Sequence, residues 1–182
     1  MRCWADSLSL TQRGAGAETA VAEALARRCG DRVAVLHDRR IPGRRPNIDH
    51  IAIAPWGVFV VDTKRYRGSI EVTRPWFGSA TLKIAGRDRT KLVDGLARQV
   101  QTVTEVVANH AVDVPVHGAF CFVAPEGLLT DSGLPLLRTL SVNGLDLFHP
   151  RSLAKRLDAK GRLSADAISA LARELARHFP PA

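Results

Sequence analysis

The stretch that decides the fold is NIDHIAIAPWGVFVVDTK, residues 47–64. Two apolar runs, Ile51 to Ala54 and Val58 to Val61, flank a Pro55-Trp56-Gly57 turn, which reads as a β-hairpin built for a core. Acids stand at both far ends: Asp49 early in the first strand and Asp62 late in the second, inside an Asp-x-Lys that ends on Lys64. Side chains alternate faces along a strand, so Asp62 and Lys64 project together. Whether Asp49 joins them depends on the turn. A two-residue loop, Pro55-Trp56, sets Asp49 across from Asp62 on one face, whereas a three-residue loop with Gly57 as a bulge slips the register by one and separates them. Pro55 and Gly57 suit either geometry, so turn chemistry leaves the register open.

Two carboxylates side by side repel, and like charges facing each other destabilise a sheet. A divalent cation removes that conflict. Magnesium takes oxygen ligands, commonly one or two carboxylates completed by water and substrate phosphate, and the Lys64 ammonium beside it suits the handling of a water. The plainer alternative is a strand end where Asp62 and Lys64 meet solvent and Asp49 serves the adjoining loop.

Outward from the hairpin, GAGAETAVAEALARRCG reads as a helix from about Ala15 to Arg28, closed by Gly30. RVAVLHD precedes the hairpin as a strand, and GSIEVT and ATLKIA follow it as two more. A second long helix is expected from roughly Leu92 to His110, then a buried strand in PVHGAFCFVAP, a short strand in GLDLF and a short helix in HPRSLAKRLDA. Ser164 is placed to cap a last helix in which Ile168, Leu171, Leu175 and Phe179 form one stripe. The order helix, strands, helix, strand, helices fits a single α/β domain around a mixed sheet. The expected division is a polar leader over 1–13 and one domain over 14–182, with a core to about 133 and a helical extension from about 134.

Both long helices carry a polar residue on the apolar face. Glu18 lies three, four and seven positions before Val21, Ala22 and Leu25, while Glu23 points away. Gln99 lies between Leu96 and Val103, beside Val100. A buried carboxylate or amide needs partners. Glu18 is also explained as an acid near a helix N-terminus, and Gln99 as an amide satisfied by backbone.

The 26 Lys and Arg against 18 Asp and Glu leave a formal charge of +8, which favours a polyanionic partner. Arg39, Arg40, Arg44 and Arg45 precede the hairpin, Arg65 and Arg67 follow it, and Arg87, Arg89 and Lys91 lead into the second helix. Such flanks neutralise phosphates, and solvated loop charge accounts for the same pattern. Trp56, Tyr66 and Trp76 are the aromatics placed to stack on bases, packing being the competing role.

Other chemistries find no support. Cys3, Cys29 and Cys121 are three in number and widely spaced, which signals neither a disulfide framework nor a thiolate zinc site. The six histidines, His37, His50, His110, His117, His149 and His178, form no H-x-x-x-H or H-E-x-x-H, and His50 alternates to the face opposite Asp49. No G-x-S-x-G elbow and no phosphate-cradling G-x-x-x-x-G-K-[ST] loop occurs. Without an apolar leader or a run of about 18 apolar residues, the expected compartment is the cytoplasm.

GAGAETAVAEAL, VAVLHDRRIP, NIDHIAIAPWGVFVVDTKRYRGSI and LARQVQTVTEVV resemble the nuclease-related domain (NERD) family, a branch of the restriction-endonuclease-like PD-(D/E)-x-K superfamily. The similarity runs from about Gly14 to Val123, and its centre is I-D-H followed by G-V-F-V-V-D-T-K. It implies a restriction-endonuclease-like core in αβββαβ order, a central mixed sheet flanked by helices, with extra C-terminal helices. It also implies a Mg²⁺- or Mn²⁺-dependent nuclease acting on nucleic acid, DNA ahead of RNA. In such an enzyme Asp49, Asp62 and the Thr63 carbonyl would ligate the metal, and Glu18 would bind it through water or a second ion. Lys64 would position the attacking water, Gln99 would orient the site, and Arg39, Arg40, Arg44, Arg45, Arg65 and Arg67 would meet the nucleic acid. Many duplex-cutting enzymes of the superfamily act as pairs, which leaves a homodimer open. Two departures stand out: Asp62 occupies a position often held by Glu, and Ile48 replaces the Pro that precedes the first motif acid. The rival reading is a non-catalytic nucleic-acid-binding or adaptor module that retains the fold.

Overall fold

A computed structural model describes residues 15–66, 68–109, 113–124, 134 and 139–182, with side chains from residue 19 onward. Helix α1 (Ala15–Cys29) leads through a 3₁₀ turn into three antiparallel strands, β1 (Ala34–Arg40), β2 (Asn47–Ala54) and β3 (Gly57–Arg65). After an inserted hairpin of short strands, β4 (Ile70–Thr73), β5 (Thr81–Ile84) and β6 (Arg87–Asp88), helix α2 (Thr90–Ala108) crosses to β7 (Val116–Val123), which runs parallel to β3. Strands β8 (Leu140–Val142) and β9 (Leu145–Phe148) and helices α3 (Pro150–Leu157) and α4 (Ala165–His178) complete the chain. The main sheet has the order β1-β2-β3-β7-β9-β8. Helix, three strands, helix, parallel strand is the arrangement of a restriction-endonuclease-like core, with a mixed sheet flanked by helices.

The central strands are apolar on both sides because both sides are covered. Val58, Val60, Phe120 and Phe122 face α2 and α4, where Leu96, Val103, Leu171, Leu175 and Phe179 close one core. Ala52, Phe59, Val61 and Cys121 face α1 and α3 and pack with Val21, Leu25, Leu153 and Leu157. Gly118 of β7 lets α2 approach closely: a Cβ there would stand 2.8 Å from Val100 Cγ2 and 2.3 Å from Leu145 Cδ2. The expected last helix forms as read, with Ser164 Oγ accepting the Ala167 N–H at 3.2 Å and the Ile168, Leu171, Leu175, Phe179 stripe buried.

Three features depart from a plain reading of the sequence. The segments GSIEVT and ATLKIA do not extend the main sheet but form a separate three-stranded sheet, β4-β5-β6. Both edges of β3 are taken, by β2 and by β7, so the chain leaving β3 pairs with itself and buries Ile70, Leu82 and Ile84 on the α2 side. Strand β8, unsigned in the sequence, forms the far edge of the main sheet. The other edge, β1, is met by the end of the chain: Arg40 N donates to Pro180 O at 2.8 Å, Ala182 N donates to Asp38 O at 3.1 Å, and Arg39 bridges Pro181. Among the described residues no helix is long and apolar enough to cross a membrane.

Candidate active site

The register of the hairpin is set by its turn. Ala54 pairs with Gly57, leaving Pro55-Trp56 as a two-residue loop, and the ladder continues to His50 opposite Val61. Gly57 does not take the left-handed φ that a bulge of this kind requires. Nor are Pro55 and Trp56 at positive φ, as the common hairpin turns demand. The turn is held instead from outside: Leu163 N donates to Pro55 O at 2.7 Å, and Trp56 Nε1 donates to Arg156 O at 2.9 Å.

Continuing that register sets Asp49 opposite Asp62. Here the ladder stops, and Thr63 N donates to Asp49 Oδ2 at 2.7 Å, a carboxylate standing where a main-chain carbonyl would. On the other side of β2, pairing is also interrupted. His37 pairs with His50 and Arg39 with Ile48, while Asp38, between them, has φ +44° and faces Asp49.

Asp62 and Lys64 lie on the α2 side of β3, opposite Phe120 and Phe122 of β7. The Lys64 ammonium pairs with Asp62 Oδ1, and the two side chains are only 24% and 14% exposed. Burial is the largest single influence on Lys64 and pulls its pKa down. The charge and hydrogen bond of Asp62, then the charges of Asp49 and Tyr66, outweigh it, so the pKa stands above its ordinary value. Lys64 is therefore a firmly protonated donor flanked by two carboxylates.

Gln99 sits half-buried on α2 and reaches the same end of the sheet, its Nε2 donating to Asn47 O at 3.0 Å. Its Oε1 is buried without a hydrogen-bond partner. Asn47 Nδ2 donates in turn to Asp38 Oδ1 at 3.1 Å. Asn47 and Asp38 thus belong to the surroundings of the site, signalled in the sequence only by a polar residue opening the hairpin. Helix α1 packs on the opposite face of the sheet, with Val21 and Leu25 buried and Glu23 turned out to an exposed pair with Arg27. Glu18 is in the first turn of α1, and its side chain lies outside the described residues.

Of the basic candidates, Arg40, Arg44 and Arg45 are exposed at the end of β1 and in the loop into Asn47, and Arg65 is exposed next to Lys64. Arg39 is half-buried, and Arg67 lies outside the described residues. His50 is buried and joined to His37, Nδ1 to Nδ1 at 2.8 Å. Burial, and secondarily the charge of His37, takes the His50 pKa down to about 3, which marks the pair as neutral and structural.

The profile of the nuclease-related domain (NERD) family matches residues 13–123, more than half of the 182-residue chain. The chain belongs to the nuclease-related domain family. No curated protein and no solved structure matched it. The NERD match runs from α1 to the end of β7 and includes Asp49, Asp62, Lys64 and Gln99, whereas β8, β9, α3 and α4 lie beyond it.

The donors gathered here suit a hard divalent cation. Two carboxylates from neighbouring strands lie about one ammonium, which pairs with Asp62 and feels the charge of Asp49. The donors are oxygens, and at the same end of the sheet Gln99 Oε1 is a buried acceptor with no hydrogen-bond partner. Among the described residues no group of three or more His, Cys, Asp or Glu side chains converges, so a cation held here would complete its shell with backbone, water or substrate oxygen.

Proposed function

We propose that this NERD domain hydrolyses phosphodiester bonds of nucleic acid, DNA ahead of RNA, with Mg²⁺ or Mn²⁺ as cofactor. The observation that carries the reading is the meeting of Asp49 and Asp62, from adjacent strands, around the single ammonium of Lys64. Asp49, Asp62 and the Thr63 carbonyl would hold the cation, with Glu18 a further ligand through water. When bound, the cation would supply Lewis acidity toward a phosphoryl oxygen and make water a stronger nucleophile. Lys64, kept protonated by its acidic neighbours, donates hydrogen bonds that orient the attacking water and offset charge gathering on the phosphate. Gln99 fixes the start of β2 through Asn47 and offers Oε1 as an acceptor. Arg40, Arg44, Arg45 and Arg65, exposed at that end, neutralise phosphates, and Arg39 and Arg67 are further candidates for the same role.

One observation favours a second reading, a binding module without turnover: Lys64 is already engaged by Asp62, and Asp49 by Thr63. The deciding experiment incubates plasmid, linear duplex, single-stranded DNA and RNA with the protein, with Mg²⁺, with Mn²⁺ and with chelator, beside Lys64→Ala. Cleavage that needs both the cation and Lys64 supports the hydrolase. Cleavage indifferent to either sinks it, and binding without any cleavage leaves the module.

A further inference from the structure

The three aromatics that read alike in sequence have different fates. Trp56 packs edge-on against Phe59, under the Arg156 guanidinium 3.7 Å from its ring centre. Tyr66 is half-buried, with Arg89 over its ring at 5.6 Å. Trp76 stands 93% exposed beside Phe77 at 86%. Their loop, between β4 and β5, is fastened at both feet to the β8–β9 hairpin. Arg74 Nη2 donates to Ser141 O at 2.9 Å, Ala80 N donates to Asn143 Oδ1 at 3.2 Å, and Asn143 Nδ2 returns to Ala80 O at 3.3 Å. The aromatic pair is thus held out in water by a clamped base.

We infer that Trp76 and Phe77 form a stacking platform for unpaired bases of a nucleic-acid strand, remote from the scissile phosphate. This rests on the proposed function and names its substrate class as nucleic acid with single-stranded character. Charge selects the occupant: the segment 70–91 carries Arg74, Lys83, Arg87, Arg89 and Lys91 against Glu71 and Asp88, and Asp88 already accepts the Thr90 N–H at 2.7 Å. Lys83 stands opposite Glu71 and Asp88, and Arg74 is the cation at the foot of the loop. Exposed aromatic faces on a net basic segment suit a polyanion whose bases present π-faces, and a duplex covers those faces except at ends, flaps and gaps. The platform is set apart from Lys64: Arg74 is anchored on β8, three strand positions across the sheet from β3, or about 14 Å. It therefore engages bases away from the cut and favours substrates with a single-stranded arm.

The test uses the full chain in chelator, so that binding is read without cleavage. An oligothymidylate and a blunt duplex are titrated against the wild type, Trp76→Ala/Phe77→Ala and Trp76→Phe, with melting curves as a folding control. Expected are quenching of Trp76 fluorescence and an affinity for oligothymidylate that falls about ten- to a hundredfold in the double variant. Trp76→Phe should recover most of it, the slope of binding against salt should be unchanged, and the blunt duplex should be affected less than about twofold. Unchanged oligothymidylate affinity in the double variant overturns the proposal, as does absence of oligothymidylate binding by the wild type. Equal loss on blunt duplex also overturns it. So does a loss seen only with anionic phospholipid vesicles, or only in self-association. Cleavage with Mg²⁺ is scored separately: its absence with platform-dependent binding intact sinks the hydrolase reading alone, and unchanged oligothymidylate binding in a cleaving enzyme sinks the platform alone.

Discussion

Thr63 N donates to Asp49 Oδ2 at 2.7 Å, at the point where the β2–β3 ladder gives way to side chains. The bond fixes one oxygen of Asp49 beside β3, while the charge of the same carboxylate is felt by Lys64, whose ammonium is already paired with Asp62. A backbone donor and an ammonium together keep two acids on adjacent strands, a placement that sheet electrostatics oppose.

Removing that ammonium leaves the acids facing each other. Lys64→Ala is expected to lose about 1–3 kcal/mol of stability in metal-free buffer, and Asp62→Asn in the same chain to regain part of it. Nuclease activity should fall by about two to four orders of magnitude. Urea denaturation and plasmid cleavage measure the two effects; a variant as stable and as active as wild type contradicts the role given to Lys64.

Cation binding should be visible without turnover. At a free Mn²⁺ or Mg²⁺ concentration a hundredfold above Kd, the folded state gains about 2.7 kcal/mol. Thermal melts should therefore shift upward with Mn²⁺ and return with chelator. Asp49→Asn and Asp62→Asn should each abolish the shift. A shift that survives both substitutions places the cation elsewhere.

In the proposed hydrolase Gln99 would act through Asn47, as a positioning residue. Gln99→Leu should change stability by about 1 kcal/mol while lowering metal affinity or kcat/KM about ten- to a hundredfold. Titration calorimetry with Mn²⁺ separates this from a general loss of folding, because the bulk of α2 packing on Leu96 and Val103 is untouched.

The His37–His50 pair gives the protein an acid sensitivity. Burial, then the charge of His37, lowers the folded His50 pKa from 6.5 to about 3, and burial, then the charge of Arg39, lowers that of His37. The unfolded chain therefore binds more protons between those values, and stability is lost as pH falls from about 6.5 toward 3, by on the order of a few kcal/mol for His50. His50→Gln should flatten the dependence of urea midpoint on pH in that window; an unaltered slope assigns the sensitivity to other groups.

The hairpin was legible because two apolar runs enclose a turn, and the helical stripes were legible because period and caps agree, as at Ser164 and Ile168, Leu171 and Leu175. The register was not. Pro55 and Gly57 fit two loops, and the choice is enforced by Leu163 and by Arg156, about a hundred residues away. The independence of β4–β6 was hidden for a related reason, since it depends on β7 occupying the free edge of β3. Site chemistry followed the same division. Asp62 and Lys64 could be placed on one face from strand parity, whereas the Asp38–Asn47–Gln99 contacts depend on a left-handed Asp38 and on how closely Gly118 lets α2 descend.

The tail that lies along β1 gives the molecule a built-in selvedge. Its main-chain bonds to Asp38 and Arg40 occupy hydrogen-bonding groups through which a second chain could otherwise dock edge to edge. They also bring Ala182 beside the residue that supports Asn47. Deleting residues 180–182 would expose that stretch of β1 beside the candidate site.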